Sequence, residues 1–459
     1  MAETTAGRSA EGVRVAVVGA GPAGFYAADM LAKQGAEVHL FERLPAPFGL
    51  LRYGVAPDHQ NIKRAGVAFE RTAQLPKVRF IGNVAVGVDL SVTELLADYD
   101  QVLIATGSAR DRHLGIPGED LGGSVPATSF VGWYNAHPDF SGAHFDLACE
   151  RAVVIGMGNV AMDVVRILAK QPDELANTDI ADYALEALRA SKIREIVVLG
   201  RRGPAQAAFD STELADVGAL PGVELVLEGE VSLAEPPNLD PHQHAHTLRN
   251  LEYLATLPRS PSGKAERLVR LRFLSGPKAL IGEDGRVVAI DVEKNELVER
   301  ADGSVSAQGT GHVERIDSCL VIRSIGYQAT ALAGLPFDDA RSLIPNNKGR
   351  VGLAGENVPR CYVVGWIKRG PVGLLGTNKQ DARETVDAML ADIPAALAEH
   401  ARRQTGSALT LLEHRGVRTL GYAEWQRIDA SEKQRGAERG KIREKYASVA
   451  ALLAALDSA

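Results

Sequence analysis

Residues 13–35 read "VRVAVVGAGPAGFYAADMLAKQG", and this stretch decides the fold that the sequence predicts. An apolar, β-branched run leads into three glycines with G-x-G-x-x-G spacing, and a helical pattern follows. The first glycine of such a motif allows a tight turn, the second lets a pyrophosphate approach the backbone, and the third lets helix and strand pack closely. Amides and the dipole at the start of the helix can then bind phosphates. The stretch is therefore typical of a dinucleotide-binding βαβ unit.

The strand after this motif ends in an acid. Residues 36–41, "AEVHLF", predict a buried strand, and Glu42 comes directly after them. A carboxylate about twenty residues beyond the glycines can accept hydrogen bonds from ribose hydroxyls. It would repel a phosphate on the ribose 2′-oxygen. The first site therefore suits an adenosine ribose without a 2′-phosphate.

A second motif of the same kind begins at residue 152. The stretch 152–170, "AVVIGMGNVAMDVVRILAK", places Ala161 at the third glycine position, which tolerates alanine. The next strand, 194–200 "REIVVLG", comes late, so residues 171–192 are predicted to be a helical excursion on the surface. That strand ends in two arginines.

Arginines at this position indicate a different nucleotide. Arg201 and Arg202 can bind a 2′-phosphate by charge-assisted, often bidentate hydrogen bonds, so the second site suits NADP(H). The alternative is a solvated loop. Glu213, at the start of a predicted helix, could accept a hydrogen bond from ribose or guanidinium, or could simply be an acid favoured by the helix dipole.

Bulk composition sets limits on the class of protein. The length of 459 residues predicts two or three domains. The net charge of −7 disfavours nucleic-acid binding. No apolar run approaches the roughly 18 residues of a membrane span. Cys149, Cys319 and Cys361 lie far apart and form no C-x-x-C, a usage that fits a reducing cytoplasm. The first twelve residues have features of neither a secretory signal nor a transit peptide, and a frayed tail is predicted.

Two further strand ends suggest how the units are arranged. Residues 99–118, "YDQVLIATGSARDRHLGIPG", predict a buried strand and then a crossing towards the second unit. Residues 361–386 predict another strand, a glycine-rich loop and a helix, whose amides could bind the rest of a long cofactor. The first unit is thus expected to open before the second motif and to close after it, with two domains facing one cleft.

Five longer blocks resemble those of the adrenodoxin reductase family of ferredoxin–NADP(+) reductases, which are flavoproteins with two Rossmann-type domains. The blocks are 44–63 "LPAPFGLLRYGVAPDHQNIK", 158–168 "GNVAMDVVRIL", 200–209 "GRRGPAQAAF", 363–382 "VVGWIKRGPVGLLGTNKQDA" and 425–432 "WQRIDASE". The resemblance implies an α/β fold with the NADP domain inserted in the FAD domain. Its implied boundaries are a disordered tail at 1–11, an FAD domain at 12–109 plus 322–459, and an NADP domain at 110–321. The missing transit peptide favours a bacterial-type member.

The resemblance also implies an activity, cofactors and site residues. NADPH would reduce FAD by hydride transfer, and FAD would pass single electrons to a ferredoxin or a similar iron–sulfur protein. The implied FAD-site residues are Gly19, Ala20, Gly21, Pro22, Ala23, Gly24, Glu42, Leu50, Val86, Trp366, Gly373, Leu374 and Leu375. The implied NADP-site residues are Arg110, Gly156, Met157, Gly158, Asn159, Arg201, Arg202, Glu213 and Gly373. His59 and Asp163 match a hydrogen-bonded polar couple near the reacting rings. They are expected to position those rings and to take part in proton transfer.

The remaining expectations concern architecture and partners. Residues 221–320 are predicted to be strands and hairpins added to the NADP unit, and the chain from about 395 to be helices on the FAD domain. A monomer is favoured, with no membrane or nucleic-acid partner. A basic patch is a candidate for steering an acidic ferredoxin, although a solubilising face is an equally good interpretation. The patch consists of Arg249, Arg259, Lys264, Arg267, Arg270 and Arg272.

Three rival functions make different demands on the sequence. A disulfide reductase of the thioredoxin-reductase type needs a redox cysteine pair, and a glutamate synthase small subunit needs clustered cysteines; the sequence shows neither pattern. A non-catalytic flavin- and NADP-binding sensor, or an electron-distribution subunit of a larger complex, stays open as the alternative. Such a protein would bind both nucleotides without NADPH-dependent reductase activity.

Overall fold

The structure is a computed structural model that describes residues 9–236, 241–301, 304–353, 356–373, 375–400 and 407–457. The strands of this part of the chain are β1 (Arg14–Val18), β2 (Glu37–Glu42), β3 (Val78–Gly82), β4 (Gln101–Ile104), β5 (Arg110–Asp111), β6 (Ser124–Pro126), β7 (Arg151–Ile155), β8 (Glu195–Leu199), β9 (Val223–Glu228), β10 (Arg267–Arg272), β11 (Ser275–Glu283), β12 (Arg286–Glu299), β13 (Val305–Asp317), β14 (Leu320–Arg323), β15 (Tyr327–Gln328), β16 (Asn346–Asn347), β17 (Arg350–Leu353) and β18 (Glu356–Val363).

The helices are α1 (Pro22–Lys33), α2 (Leu50–Tyr53), α3 (Gln60–Lys63), α4 (Gly66–Ala73), α5 (Val92–Asp98), α6 (Ala127–Tyr134), α7 (Asn159–Ala169), α8 (Asp182–Arg189), α9 (Ser211–Gly218), α10 (Pro241–Ala255), α11 (Trp366–Arg369), α12 (Leu375–His400), α13 (Ala408–His414), α14 (Tyr422–Ala437) and α15 (Val449–Asp457). None of these helices is long and apolar enough to cross a membrane.

The first sheet has seven strands in the order β16-β17-β18-β4-β1-β2-β3. Its central strands are parallel, and β16 and β17 form an antiparallel edge next to β18. Residues Val15–Val18 of β1 are buried on both faces, because α1 and α12 cover one side, and α5, α13 and loop residues cover the other. Strand β1 and strand β18 of the same sheet are more than 300 residues apart in the chain, so this unit opens and closes around the other.

The second sheet has six parallel strands in the order β6-β14-β7-β8-β10-β9. Strand β14 crosses the predicted boundary at residue 322 and pairs with β6 and β7. In the region 221–320, predicted to be strands and hairpins, β9 and β10 are strands but form no hairpin, since α10 connects them as a parallel crossover. Strands β11, β12 and β13 do form antiparallel hairpins, and this three-stranded sheet packs against the second sheet.

The two ends of the chain were predicted to be a disordered tail at 1–11 and helices from about residue 395, and the first of these predictions holds only in part. Residues 1–8 of the predicted tail lie outside the described residues, whereas Ala10 is buried and its N–H donates to the Gln34 carbonyl at 2.8 Å. The ordered chain therefore begins before residue 12. Helices α13, α14 and α15 pack on the first unit, and Trp425 and Leu452 join its core.

Two of the three cysteines form a bond that their sequence positions did not reveal. Cys149 and Cys319 make a disulfide with 5.9 Å between Cα atoms, while Cys361 is free and buried. The two positions are 170 residues apart, but they precede β7 and β14, which are neighbours in the second sheet. The cysteine usage taken as typical of a reducing cytoplasm therefore includes a cross-link. Neither of its cysteines lines the cleft described below.

Candidate functional site

The ends of both parallel sheets open onto one cleft of about 2390 Å³. Pockets for one small ligand usually occupy about 300–1,000 Å³, so this cleft can hold more than one large molecule. Most of the predicted site residues line it: Gly19, Gly21, Pro22, Ala23, Glu42, Leu50, His59, Val86, Gly156, Met157, Gly158, Asn159, Asp163, Arg201, Arg202, Glu213, Trp366, Gly373 and Leu375.

The first glycine loop has the geometry of a phosphate cradle. Gly19 has φ +108°, and a Cβ there would lie 2.5 Å from the Ala105 carbonyl oxygen. A Cβ on Gly24 would lie 2.1 Å from the Gly19 oxygen, so neither position accepts a side chain. At Gly21 no described atom lies within 4 Å of such a Cβ, which leaves the start of α1 open to a ligand. Ala20 is buried behind the loop.

Glu42 lies at the end of β2 and is held by the backbone of the same cradle. Its Oε2 accepts the Ala20 N–H at 2.9 Å, and its Oε1 accepts the Leu44 N–H at 3.1 Å. Burial raises the pKa of Glu42, and the two N–H donors oppose that rise. Each carboxylate oxygen keeps further acceptor capacity on the cleft side, which suits ribose hydroxyls and disfavours a phosphate.

The second glycine loop repeats this geometry between β7 and α7. Gly156 has φ +133°, and a Cβ there would lie 2.1 Å from the Ser324 carbonyl oxygen. No described atom lies within 4 Å of a Cβ built on Gly158, so the start of α7 is open as well. The carbonyl of Met157 accepts the backbone N–H groups of residues 208 and 209 at 2.8 and 3.0 Å. Met157, between the two glycines of this motif, therefore has a structural role through its backbone carbonyl.

Arg201 and Arg202 extend from the end of β8 into the cleft. Both are exposed, and in the described part of the chain neither forms an ion pair with a carboxylate. Burial and the neighbouring Arg201 lower the pKa of Arg202. Two adjacent guanidinium groups without a protein counter-ion make a strong site for a dianion.

The backbone of the arginine loop is held by the three-stranded sheet. Asn295 Nδ2, on β12, donates to the Arg201 carbonyl at 2.9 Å, and the Leu274 N–H donates to the Arg202 carbonyl at 3.0 Å. Asn295 is buried and lies beside a register shift in the β12–β13 pairing. No motif marks this asparagine in the sequence, because it lies 94 residues from the loop that it binds.

A polar cluster lies between the two cradles, and we call it the Arg166 cluster: Arg166, Asp58, His59, Asp163 and Glu213. The guanidinium of Arg166 is 2% exposed and donates to Asp58 at 2.9 and 3.0 Å, to Asp163 at 2.6 Å and to Glu213 at 3.2 Å. His59 Nδ1 is 3.7 Å from Asp163 Oδ1, and His59 Nε2 is 3.7 Å from Glu213 Oε2. Since 3.7 Å exceeds hydrogen-bond range, the predicted His59–Asp163 couple is a close pair without a direct bond.

Ionisation in the Arg166 cluster is set by burial and by the arginine. Burial and the nearby Asp163 raise the pKa of Glu213 to about 7. Burial also raises the pKa of Asp163 against the pull of Arg166, and burial with Arg166 lowers the pKa of His59. Burial alone would raise the pKa of Asp58, but Arg166 and Lys170 hold it well below its usual range. The cluster thus combines a fixed anion, Asp58, with Glu213, which exchanges its proton near neutral pH.

Sequence reasoning missed Arg166, although a signal was present. Arg166 is three residues after Asp163 on α7, a spacing that places the two on one helix face. An arginine within the apolar run "VVRIL" faces a packed core and needs an acidic partner. The partner Asp58 comes from the other unit, 108 residues away, and its identity was not predictable.

Residues between β18 and the start of α12 form a further part of the cleft lining. The Trp366 and Tyr327 rings lie with centroids 5.3 Å apart, and the buried Trp366 Nε1 has no hydrogen-bond partner among the described residues. Gly373, with φ +86°, and Leu375 line the cleft at the start of α12. Leu374 lies outside the described residues. An orphaned donor beside an aromatic face fits a flat, polar-edged ring system.

One predicted NADP-site residue lies elsewhere. Arg110 is exposed on the ribbon formed by β5 and β15 and does not line the cleft, whereas Arg112 does.

Two cations of the predicted docking patch, Arg270 and Arg272, form ion pairs with neighbouring acids. Their neighbours neutralise both: Arg270 pairs with Glu195 at 2.5 Å and Glu228 at 2.8 Å, and Arg272 pairs with Glu314. Their strand β10 lies between β8 and β9, which brings Glu195 of β8 and Glu228 of β9 within reach of Arg270.

Comparisons with known proteins agree with this geometry. Residues 13–198 match the family model for pyridine nucleotide-disulphide oxidoreductases. The NADPH-ferredoxin reductase FprA of Mycobacterium tuberculosis is 44% identical over 459 residues, covering 96% of this chain and 98% of that protein. The mitochondrial NADPH:adrenodoxin oxidoreductase of Arabidopsis thaliana is 40% identical over 464 residues, with coverages of 97% and 96%.

A solved structure supports the same grouping. The structure of Mycobacterium tuberculosis FprA in complex with NADPH superposes with a TM-score of 0.89 at 44% identity, covering 97% of this chain and 99% of that one. The superposition therefore covers nearly the whole chain. The chain therefore belongs to the adrenodoxin reductase-like family of NADPH–ferredoxin reductases.

Proposed function

We propose that this chain is an FAD-dependent NADPH:ferredoxin oxidoreductase. The observation that carries the proposal is that two dinucleotide cradles of opposite charge open onto one cleft. Glu42 lies at the first cradle, and Arg201 and Arg202, which form no ion pair with any described residue, lie at the second. FAD carries no 2′-phosphate and NADPH does, so the charges assign one nucleotide to each cradle.

The first cradle holds FAD. The open backbone at Gly21 and the start of α1 bind its pyrophosphate, Glu42 accepts from its ribose, and Trp366 with Gly373 contacts its ring end. FAD bound there would supply the redox chemistry, which is acceptance of a hydride from NADPH and release of single electrons to an iron–sulfur protein, while the residues of the cradle would supply orientation and electrostatics.

The second cradle holds NADP(H). Gly158 and the start of α7 face the pyrophosphate, and Arg201 with Arg202 binds the 2′-phosphate. Between the cradles the Arg166 cluster orients the nicotinamide end and keeps exchangeable protons on Glu213, while the buried Arg166 fixes Asp58 and Asp163 in place. None of these groups is placed for covalent chemistry.

The division of the chain agrees with the same assignment. The FAD domain comprises the described residues before 110, starting near residue 10, and those after β14, whereas the NADP domain comprises the residues between them and includes β14. The protein is a monomer that works in the cytoplasm. Bacterial relatives support the location. The partner is a ferredoxin, and Arg249, Arg259 and Lys264 remain as exposed cations of the docking patch.

Anaerobic stopped-flow spectroscopy of the purified holoprotein tests the proposal. NADPH is expected to bleach the bound flavin within one turnover and much faster than NADH does, and oxidised ferredoxin should then restore its colour. A colourless protein that takes up no flavin would overturn the assignment. A yellow protein that binds NADP(+) but is not reduced by NADPH would instead identify the non-catalytic sensor.

A further inference from the structure

A buried ionic group joins the two units at a distance from both glycine loops. Asp179 lies in the excursion between α7 and α8 of the second unit. Lys63 Nζ, at the end of α3 in the first unit, is 2.7 Å from both oxygens of Asp179, and Lys445 Nζ is 2.8 Å from Oδ2. The three side chains are 12% (Lys63), 7% (Asp179) and 1% (Lys445) exposed. We call Lys63, Asp179 and Lys445 the interdomain latch.

The chain around Lys445 lies along the same excursion. Lys441 Nζ donates to the Ile180 carbonyl at 2.6 Å and to Asp182 Oδ1 at 2.5 Å. The Ile442 N–H donates to the Asn177 carbonyl at 3.1 Å. This connection between α14 and α15 therefore binds the second unit, although both helices pack on the first.

The latch is anchored in the core of the first unit. Glu432, on α14, has a fully buried carboxylate that accepts from Arg52 at 2.6 and 2.9 Å and from Arg443 at 2.8 Å. The Tyr446 N–H donates to the same carboxylate at 2.9 Å. These bonds fix both ends of the stretch that carries Lys445.

The latch also reaches the segment that carries His59. Helix α3 begins directly after His59, and Gln60 Nε2 donates to Asp179 Oδ1 at 3.1 Å. On the other side of His59, Asp58 is held by Arg166. The second unit therefore binds both ends of residues 58–63 of the first unit, through Arg166 at Asp58 and through Asp179 at Lys63.

Burial gives these bonds their rigidity. An ion pair out of water loses much more when one partner leaves than an exposed pair does, because the remaining charge stays without solvent. Burial lowers the pKa of Lys445 to about 7, and the nearby Asp179 opposes that fall, so the pairing keeps part of the Lys445 population charged near neutral pH. Rotation of one unit against the other would separate these charges.

We propose that Asp179, with Lys63 and Lys445, is a positioning group that holds the two nucleotide cradles in one orientation throughout turnover. The proposal rests on the proposed function, because it explains how the nicotinamide and flavin stay aligned. A misplacement of about 1 Å between reacting groups can cost roughly a hundredfold in rate.

Asp179→Asn in the full-length holoenzyme tests this role, because it keeps the shape and removes the charge. The limiting rate of flavin reduction at saturating NADPH should fall by about ten- to a hundredfold. The Kd for NADP(+) depends chiefly on the second cradle and the rate of flavin reduction by dithionite on the first, so both should stay within about twofold. Asp173→Asn is the matched control, since Asp173 is an exposed partner of Arg189 in the same excursion.

Two results would overturn the proposal: an unchanged limiting rate in the folded variant, or equal losses in all three measurements. If Asp179→Asn does not fold, small-angle X-ray scattering of the wild-type holoenzyme decides. Superimposable curves with and without NADP(+) support one fixed orientation, and a change in the curve refutes it. If NADPH fails to reduce the wild-type flavin, the proposed function fails, while the scattering result still judges the latch.

Discussion

The two nucleotide cradles share a backbone geometry and differ in the charge at the end of the next strand. Each has a parallel strand, a glycine at positive φ against a neighbouring carbonyl, an open second glycine and a helix start. The next strand ends in Glu42 at the first cradle and in Arg201 and Arg202 at the second. The glycines thus select a pyrophosphate, and the charge at the next strand end selects which dinucleotide brings it.

The cradles also differ in the elements that hold their selective side chains. Glu42 is bound by Ala20 and Leu44 of its own βαβ unit. The arginine loop is bound by Asn295 of the added three-stranded sheet. Selectivity in the first cradle is therefore local, whereas in the second it depends on a distant element.

The largest effect is expected from charge reversal at the first cradle. Glu42→Lys removes both acceptors of the backbone N–H groups and places a cation at the ribose, so FAD should bind more than about a hundredfold more weakly. The measurement is the ratio of flavin to protein absorbance after purification. Glu37→Lys, at the exposed start of the same strand, is the control and should stay yellow. Full flavin content in Glu42→Lys would contradict the assignment of FAD to the first cradle through Glu42.

Removing both cations of the second cradle should be the next largest change. In Arg201→Ala/Arg202→Ala, loss of two charge-assisted hydrogen bonds is expected to lower kcat/KM for NADPH by about 100- to 1,000-fold. The value for NADH should change little, because NADH has no 2′-phosphate. Arg194→Ala, at the other end of the β8 region, serves as control. An unchanged NADPH to NADH ratio would contradict the assignment.

A smaller effect tests the distant support of the arginine loop. Asn295→Ala removes the bond to the Arg201 carbonyl, and the NADPH to NADH ratio of kcat/KM should fall roughly fivefold, equivalent to about 1 kcal/mol. Thr310→Ala loses a comparable bond, to the Lys294 carbonyl, at an exposed site of the same sheet and should leave the ratio unchanged. Equal losses with both nucleotides would indicate general damage instead of positioning.

The smallest effect concerns the Arg166 cluster between the cradles and appears in pH dependence. Because the pKa of folded Glu213 is raised to about 7, above its ordinary value, its stabilising contribution is present in acid and is lost as pH rises through about 7. The difference in melting temperature between Glu213→Gln and wild type should therefore shift in favour of the variant as the pH increases through about 7. The same variant should also remove any change near pH 7 in the plot of flavin-reduction rate against pH. Glu186→Gln, exposed on α8, should run parallel to wild type throughout.

Local sequence was enough to predict both cradles and their charges. The glycine spacing, the strand before each motif and the residue after the next strand all lie within one supersecondary unit. Such features depend on backbone turns and helix starts, which short stretches encode. The nested order of the two units and the parallel sheets were predictable from the same local patterns.

Long-range pairings were decided only in the tertiary structure. Asn295 meets Arg201, Asp58 meets Arg166, Asp179 meets Lys445, and Cys149 meets Cys319. The members of each pair are from 94 to 266 residues apart, and no spacing rule links them. The reason is physical: the glycine loops are specified by backbone conformation along a continuous stretch, whereas buried charges and cross-links find their partners only when packing brings separate stretches together.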